Sequence, residues 1–361
     1  MTAITGLHHI TIGCNDAQRT IDFYVGVLAL RFTKKTVNFD DPGTYHLYFG
    51  DLTGRPGTAI TFFEWPTARP GVRGIGGTHH LALRTASYDG LLKWKRRLTD
   101  LGLKVDGPLD RHYFTSIYFR DPDGLILEIA TDGPGFTRDE PAETLGSEHR
   151  TPPAEMVVNN RDEARIAALT WPEPVPAVTA DMALLQGMHH VTAIASDIHA
   201  TDAFYRGLLG LQRVKMTDNF DDPGSAHWYW GVGNGEPGSL ITYFERNPAT
   251  EPRARHGAGQ THHVAFSVPD EETQLAFREK LIRAGYNVSP VMERVYFKSI
   301  YTSDPDGHII EIATAGPGFT VDETVEELGQ NLRLPPWYEE HRAEIEGILR
   351  PVSVPPWAPP E

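Results

Sequence analysis

Apolar and polar residues alternate with period two over 7–13, the pattern of a half-buried strand. The next apolar positions, Ile21, Tyr24 and Leu28, recur at helical spacing behind Asp16, a side chain suited to capping a helix N-terminus. Three further strand-like runs follow, 30–39, 45–50 and 58–65, divided by Asp-Asp-Pro-Gly and Gly-Arg-Pro-Gly turns. The unit is βαβββ. A second unit repeats the order, with a strand at 79–84, a helix at 88–101 and strands that meet in a hairpin at Asp121-Pro122-Asp123-Gly124.

The whole pattern then returns. GLHHIT, FYVGVL, NFDDPG and AITFFE between Gly6 and Glu64 come back in fixed register as GMHHVT, FYRGLL, NFDDPG and LITYFE between Gly187 and Glu245. THHLAL and RHYFTSIYFRDPDGLILEIATDGPGFTRDE, from Thr78, return from Thr261 as THHVAF and RVYFKSIYTSDPDGHIIEIATAGPGFTVDE, displaced by two more residues. Each block opens with a His-His pair on a strand, so the chain holds four related modules of α+β type. The expected organisation is an N-terminal domain at 1–137 (modules 6–66 and 77–137) and a connector at 138–186, rich in Pro, Glu and Ala, with a short helix near 161–169. A C-terminal domain at 187–320 (modules 187–247 and 260–320) and a tail at 321–361 follow. The final VPPWAPPE should be extended and partly disordered.

A chain of 361 residues, 40% apolar, is long enough for two cores. Its formal charge of −15 argues against nucleic-acid or anionic-membrane surfaces, which reward clustered positive charge. No apolar run approaches the roughly 20 residues of a membrane span, and no secretory leader pattern opens the sequence, so a soluble, uncleaved, cytoplasmic protein is expected. One cysteine, Cys14, allows neither an intrachain disulfide nor a thiolate metal cluster. Metal chemistry therefore falls to histidines and carboxylates.

Strand alternation turns one histidine of each pair inward: His9, His80, His190 and His263. Glu128 in LILEIAT and Glu311 in HIIEIAT stand among apolar residues, where an unpaired carboxylate is costly. Two sets of two His and one Glu result, and that donor set with open positions for substrate and oxygen suits non-haem Fe(II). If modules pair in chain order, the sets are His9 with His80 and Glu128, and His190 with His263 and Glu311. If the first pairs with the fourth, they are His9 with His263 and Glu311, and His190 with His80 and Glu128. By the same parity His8 and His262 turn away from the inner face and reach it only where the strand bends.

The four modules, together with GLHHIT, THHVAF and RVYFKSIY followed by DPDGHIIEIAT, resemble the vicinal oxygen chelate superfamily and, within it, hydroquinone-type ring-cleaving dioxygenases. The resemblance implies two curved-sheet, barrel-like domains and pairing of the first module with the fourth. It makes His9, His263 and Glu311 the ligands of Fe(II), with Mn(II) as the alternative, and leaves His190, His80 and Glu128 as a second set. It points to Tyr301, Arg294, His262, His8 and Thr11 around the metal. Tyr301 would donate to a bound phenolate oxygen, while Arg294 or His262 would offset negative charge. Their counterparts around the second set are Tyr118, Arg111, His79, His189 and Thr192. The implied partners are a small aromatic diphenol and O2, with a homo-oligomer allowed. Two other readings stay open. One is a glyoxalase-like metal-dependent isomerase or lyase, for which Glu64 and Glu245 would be tempting fourth ligands, although in glyoxalases that carboxylate stands earlier on the strand, where this chain has Ile60 and Ile241. The other is a metal-free small-molecule binder of the drug-resistance type. Asn38 to Gly43 and its copy at Asn219 read as turns, His46 and His227 as hydrogen-bonded sheet residues, and Trp228 and Trp230, in place of Leu47 and Phe49, as a pocket difference or repacking.

Overall fold

The computed structural model describes residues 3–360. All four βαβββ modules form, and the resulting α+β fold contains two curled sheets. In the first sheet the strands lie side by side in the order Met292–Glu293, Lys298–Ser303, Ile309–Thr314, Thr261–Val268, Gly6–Cys14, Ala59–Glu64, Asp41–Gly50, Arg31–Asn38. The second runs Asp106–Asp110, Thr115–Arg120, Ile126–Thr131, Gly77–Thr85, Met188–Ala195, Leu240–Glu245, Asp222–Gly231, Gln212–Asn219, His149–Arg150. The first module thus joins the fourth, and the second joins the third. The halves 1–137 and 187–320 remain the repeating units of sequence, yet each sheet takes one module from each half. Chain-order pairing is excluded because Gly6–Cys14 lies antiparallel to Thr261–Val268 and Gly77–Thr85 to Met188–Ala195.

Helices cover the outer faces. Ser87 caps helix Tyr88–Asp100 by accepting from Gly90 N, and Leu91, Trp94 and Leu98 form its buried stripe. Asp16 caps Ala17–Ile21, accepting from Arg19 N, and that helix continues in a wider π turn, Asp22–Val27, which buries Phe23 and Tyr24. Trp228 and Trp230 pack on the helix side, where Trp230 Nε1 donates to Asp202 at 2.8 Å, so their exchange for Leu47 and Phe49 is repacking of the core.

The two DPDG hairpins do more than turn the chain. Asp304, at the tip of one, accepts from Tyr243 OH across the sheets at 2.7 Å, and Asp121 accepts from Tyr24 OH at 3.2 Å. Gly76, at φ +80°, passes so near that hairpin that an added Cβ would lie 2.3 Å from Asp306 O. The two sheets are fastened at these points.

Connector and tail differ from expectation. The short helix is present as Glu163–Ala168, but Val175, Met182 and Leu184 are buried in the main core and Trp94 Nε1 donates to Met182 O at 2.7 Å. The connector therefore contributes core. The tail forms a short helix, Arg342–Ile348, and only its last residues are extended; these are packed, since Trp357 Nε1 donates to Ala29 O at 2.9 Å and Val352 and Val354 lie against the core. Fully buried Lys34 binds Asp322 and Glu323 at the start of the tail, and Lys215 binds Asp139 and Glu140 at the start of the connector. Among the described residues no helix is long and apolar enough to cross a membrane.

Candidate metal centre

Register assembles the site. Across four neighbouring strands Tyr301 stands opposite Glu311, Glu311 beside Ala265, and Ala265 opposite His9. All four share the inner face, and the small Ala265 leaves space between the carboxylate and the imidazole. His263, two residues before Ala265 on its strand, faces the same way. The result is a triad whose ligand atoms form a triangle: His9 Nε2 to His263 Nε2 3.2 Å, His9 Nε2 to Glu311 Oε2 3.3 Å, His263 Nε2 to Glu311 Oε2 3.0 Å. The second sheet repeats the row with Tyr118, Glu128, Ala82 and His190. Its triangle has edges of 3.2 Å between His80 and His190, 2.9 Å from His80 to Glu128 and 3.3 Å from His190 to Glu128. Atoms bound at about 2.1 Å and at right angles around one ion would be roughly 3.0 Å apart, so both triangles fit a divalent metal.

The carboxylates are poised for a cation. Glu311 and Glu128 are completely buried, and in each the Oε2 atom facing the imidazoles has no hydrogen-bond donor aimed at it. The other oxygen is held: Ser299 Oγ donates to Glu311 Oε1, and Ser116 Oγ to Glu128 Oε1. Burial alone would raise the Glu311 carboxyl, but His9 and His263 outweigh it and hold the group well below the usual carboxylate range. An ionised carboxylate in this place demands positive charge beside it.

Each His-His pair sits on a β-bulge. Pairing steps from Leu7 to His9 against a single step on the partner strand, and from His263 to Thr261 against a single step on the first, so His8 and His262 are extra residues. His189 and His79 occupy the same position in the second sheet. Simple alternation turned these histidines away; the bulge brings them round. Nδ1 of His8 lies 2.8 Å from Nδ1 of His9, and Nδ1 of His262 lies 2.8 Å from Nδ1 of His263. Burial, followed by the neighbouring His9, pushes His8 down to about 3, and His262 falls to about 3 by burial and His263. With a metal ion in place of positive charge on the ligand imidazoles, a neutral neighbour accepting at Nδ1 would keep the ligand's ring proton on Nδ1 and leave its Nε2 lone pair for the ion.

The remaining predicted residues fall around this centre. The Tyr301 ring lies 5.6 Å from His263, edge to face, and the Arg294 guanidinium stacks 5.4 Å from the Tyr301 ring while pairing with Asp40 at 3.0 Å. Asp40 belongs to the Asp-Asp-Pro-Gly turn, which thus clamps the arginine; Asp221 holds Arg111 at 2.7 Å in the copy. Thr11 is tied to Thr61 at 2.7 Å, and Thr61 to His46 Nε2 at 2.9 Å, so this predicted site residue braces the sheet. His46 also meets Tyr48 OH at 2.9 Å, the hydrogen-bonded sheet role expected of it. Glu64 and Glu245 do not approach the triads. They accept from Ala17 N and Ile198 N, each at 3.0 Å, and cap helices. Sequence reasoning missed Ser299 and Ser116, the gap that Ala265 and Ala82 leave, and the aromatic walls Phe297 and Phe114; the repeated YF-x-SIY preceding DPDG carried the signal for the serines and phenylalanines.

A cavity of about 970 Å³ opens on the second triad, reaching His80 and His190 past Phe114, Tyr118, Phe244 and Arg111.

Paired βαβββ modules that enclose a His, His, Glu triad define a class of metal-site proteins. The chain belongs to the Glyoxalase/Bleomycin resistance protein/Dioxygenase superfamily, whose model matches residues 6–129 and 187–312. It is 36% identical to the Bacillus subtilis protein named "Putative ring-cleaving dioxygenase MhqO", over 97% of each chain. Identity to the "Chlorohydroquinone/hydroquinone 1,2-dioxygenase" of Sphingobium indicum is 29%, over 95% of each chain. The crystal structure of a "putative dioxygenase from Bacillus subtilis subsp. subtilis str. 168" superposes with a TM-score of 0.77 at 33% identity, covering 98% of this chain and 99% of that one. Glyoxalase I from Zea mays shares the fold at a TM-score of 0.57 and 15% identity, covering 86% of this chain and 92% of its own.

Proposed function

We propose that the protein is an Fe(II)-dependent ring-cleaving dioxygenase of extradiol type, which opens a hydroquinone or related diphenol with O2 while His9, His263 and Glu311 hold the metal. The observation that carries this reading is the buried triangle of two imidazole nitrogens and one serine-held carboxylate oxygen. Similarity over nearly the whole chain to proteins named ring-cleaving dioxygenases supports it. Held by these three residues, Fe(II) would supply a redox-active Lewis acid for a diphenol and O2; Mn(II) would suit the same donors.

The chain's own residues orient the ring and balance charge. Burial raises the Tyr301 hydroxyl well above its ordinary range, so it stays protonated and donates to a phenolate oxygen. Arg294, fixed by Asp40 and stacked on Tyr301, offsets negative charge on the substrate. Phe297 and Phe63 pack against the ligand imidazoles and exclude water. His8 and His262 set the ligand tautomers, and Thr11 braces the strand beneath them. The isomerase reading loses its fourth ligand, since Glu64 and Glu245 are committed to helix caps.

The test is oxygen uptake by protein loaded anaerobically with Fe(II), given methylhydroquinone, a chlorohydroquinone or catechol, with His9→Ala as the control. Uptake by the wild type that vanishes in the control is expected. Absence of uptake with every diphenol, while metal stays bound, would overturn the reading.

A further inference from the structure

We propose that His80, His190 and Glu128 form a second divalent-metal centre in the same chain, and that it receives a hydroxylated aromatic ligand through the cavity opening on it. The proposal shares with the function above only the premise that a two-His, one-Glu triangle holds a metal. The contacts that position the first triad have counterparts in the second. Ser116 holds Glu128 Oε1, His79 and His189 meet Nδ1 of the ligands at 2.8 and 2.9 Å, Ala82 makes the gap, and Asp221 clamps Arg111 against Tyr118. A duplicated module without a task could lose any one of these residues freely, and none is missing. Glu128 Oε2 is buried between two imidazole nitrogens at 2.9 and 3.3 Å, an arrangement that is costly unless protons on those rings or a metal ion supply positive charge.

The cavity identifies the ligand's chemistry. Its volume of about 970 Å³ suits a small molecule. Phe114, Phe244 and Tyr118 make aromatic walls, while Arg111 and His227 are polar groups at the same wall as the triad. The aromatic faces among a lining that is otherwise largely charged, next to a metal and the Arg111 cation, favour an aromatic ring that presents hydroxyl oxygens. The connector forms part of the enclosure, since Arg161 pairs with Asp221 at 2.6 Å and Ile166 lines the opening.

The experiment measures bound Mn(II) per chain by equilibrium dialysis in wild type, Glu311→Gln, Glu128→Gln and the double variant, with thermal melts to confirm folding. About two ions, one, one and none are expected. In a second arm, Fe(II)-loaded Glu311→Gln is titrated anaerobically with 4-nitrocatechol, whose visible band should shift, and the shift should be absent in the double variant. One ion in wild type, lost in Glu311→Gln and retained in Glu128→Gln, overturns the second centre and leaves the proposed dioxygenase site standing. One ion lost only in Glu128→Gln overturns the first-triad assignment and supports this one. Two ions without a band shift in Glu311→Gln overturn the ligand assignment. Should Glu128→Gln fail to fold, His80→Gln gives the same stoichiometric readout.

Discussion

Ser299→Ala is the sharpest probe of the first centre. Ser299 and Glu311 are both fully buried, and the only group removed is the hydroxyl that donates to Glu311 Oε1. The methyl group that remains keeps the packing, so the loss is electrostatic: one carboxylate oxygen is left buried without its donor. A hydrogen bond to a charged group contributes about 1.5 to 3 kcal/mol, and second-layer partners of this kind are worth roughly 10- to 100-fold in metal affinity, which is about 1.4 to 2.7 kcal/mol. The two figures overlap, and an approximately 30-fold weaker site is the central expectation. The assay is competition between protein and a chelator for Mn(II), run in a Glu128→Gln background so that only one triad reports. Ser116→Ala in that background should change nothing. Unaltered affinity in a folded Ser299→Ala protein would show that the serine does not orient the ligand and would refute the argument from the row of facing residues.

Ala265→Leu should abolish metal binding at the first triad while the second keeps its ion, because the added side chain fills the gap between Glu311 and His9; overpacking should also cost about 1 to 3 kcal/mol, read as a lowered melting temperature. The metal-free protein should lose stability on acidification. Burial holds His8, His189, His262 and His308 down to about 3 and His46, His79 and His227 well below 6.5, so seven imidazoles that bind protons near 6.5 when unfolded stay neutral when folded. Their contribution is full above pH 6.5 and falls away below it, at about 1.4 kcal/mol per pH unit for each proton taken up. Asp121 and Asp304, raised to about 6 by burial, act in the opposite direction between about 6 and 3.8, and Glu64 and Asp123, also raised by burial, act with them, but the imidazoles outnumber these carboxyls. A melting temperature that holds steady or rises between pH 7.5 and 5.5 would contradict this balance.

The modules were legible because their hydrophobic alternation is strong and appears four times, and Glu128 and Glu311 stood out as carboxylates inside apolar strands. Residue-level reasoning left module pairing open because either arrangement buries the same faces, and only the resemblance favoured the pairing found. The bulges were hidden because an extra residue leaves the apolar pattern nearly intact, so parity misdirected His8 and His262. Ser299 looks like any strand serine until its neighbour across the ladder is known. The connector's core residues, Val175, Met182 and Leu184, are scattered among prolines and polar residues, without a period to betray them.

The nesting of one sheet's connections inside the other's gives the chain an order of completion. His80 and His190 are 110 positions apart, whereas His9 and His263 are 254 apart and enclose them. A chain growing from the ribosome can finish the inner sheet while the strand Gly6–Cys14 still waits for a partner that has not been made. That strand keeps an open edge, and the hazards of one, until Thr261–Val268 emerges. The outer triad is therefore a clasp that closes last, and a chain that stops short of Glu311 can complete the inner triad but never the outer.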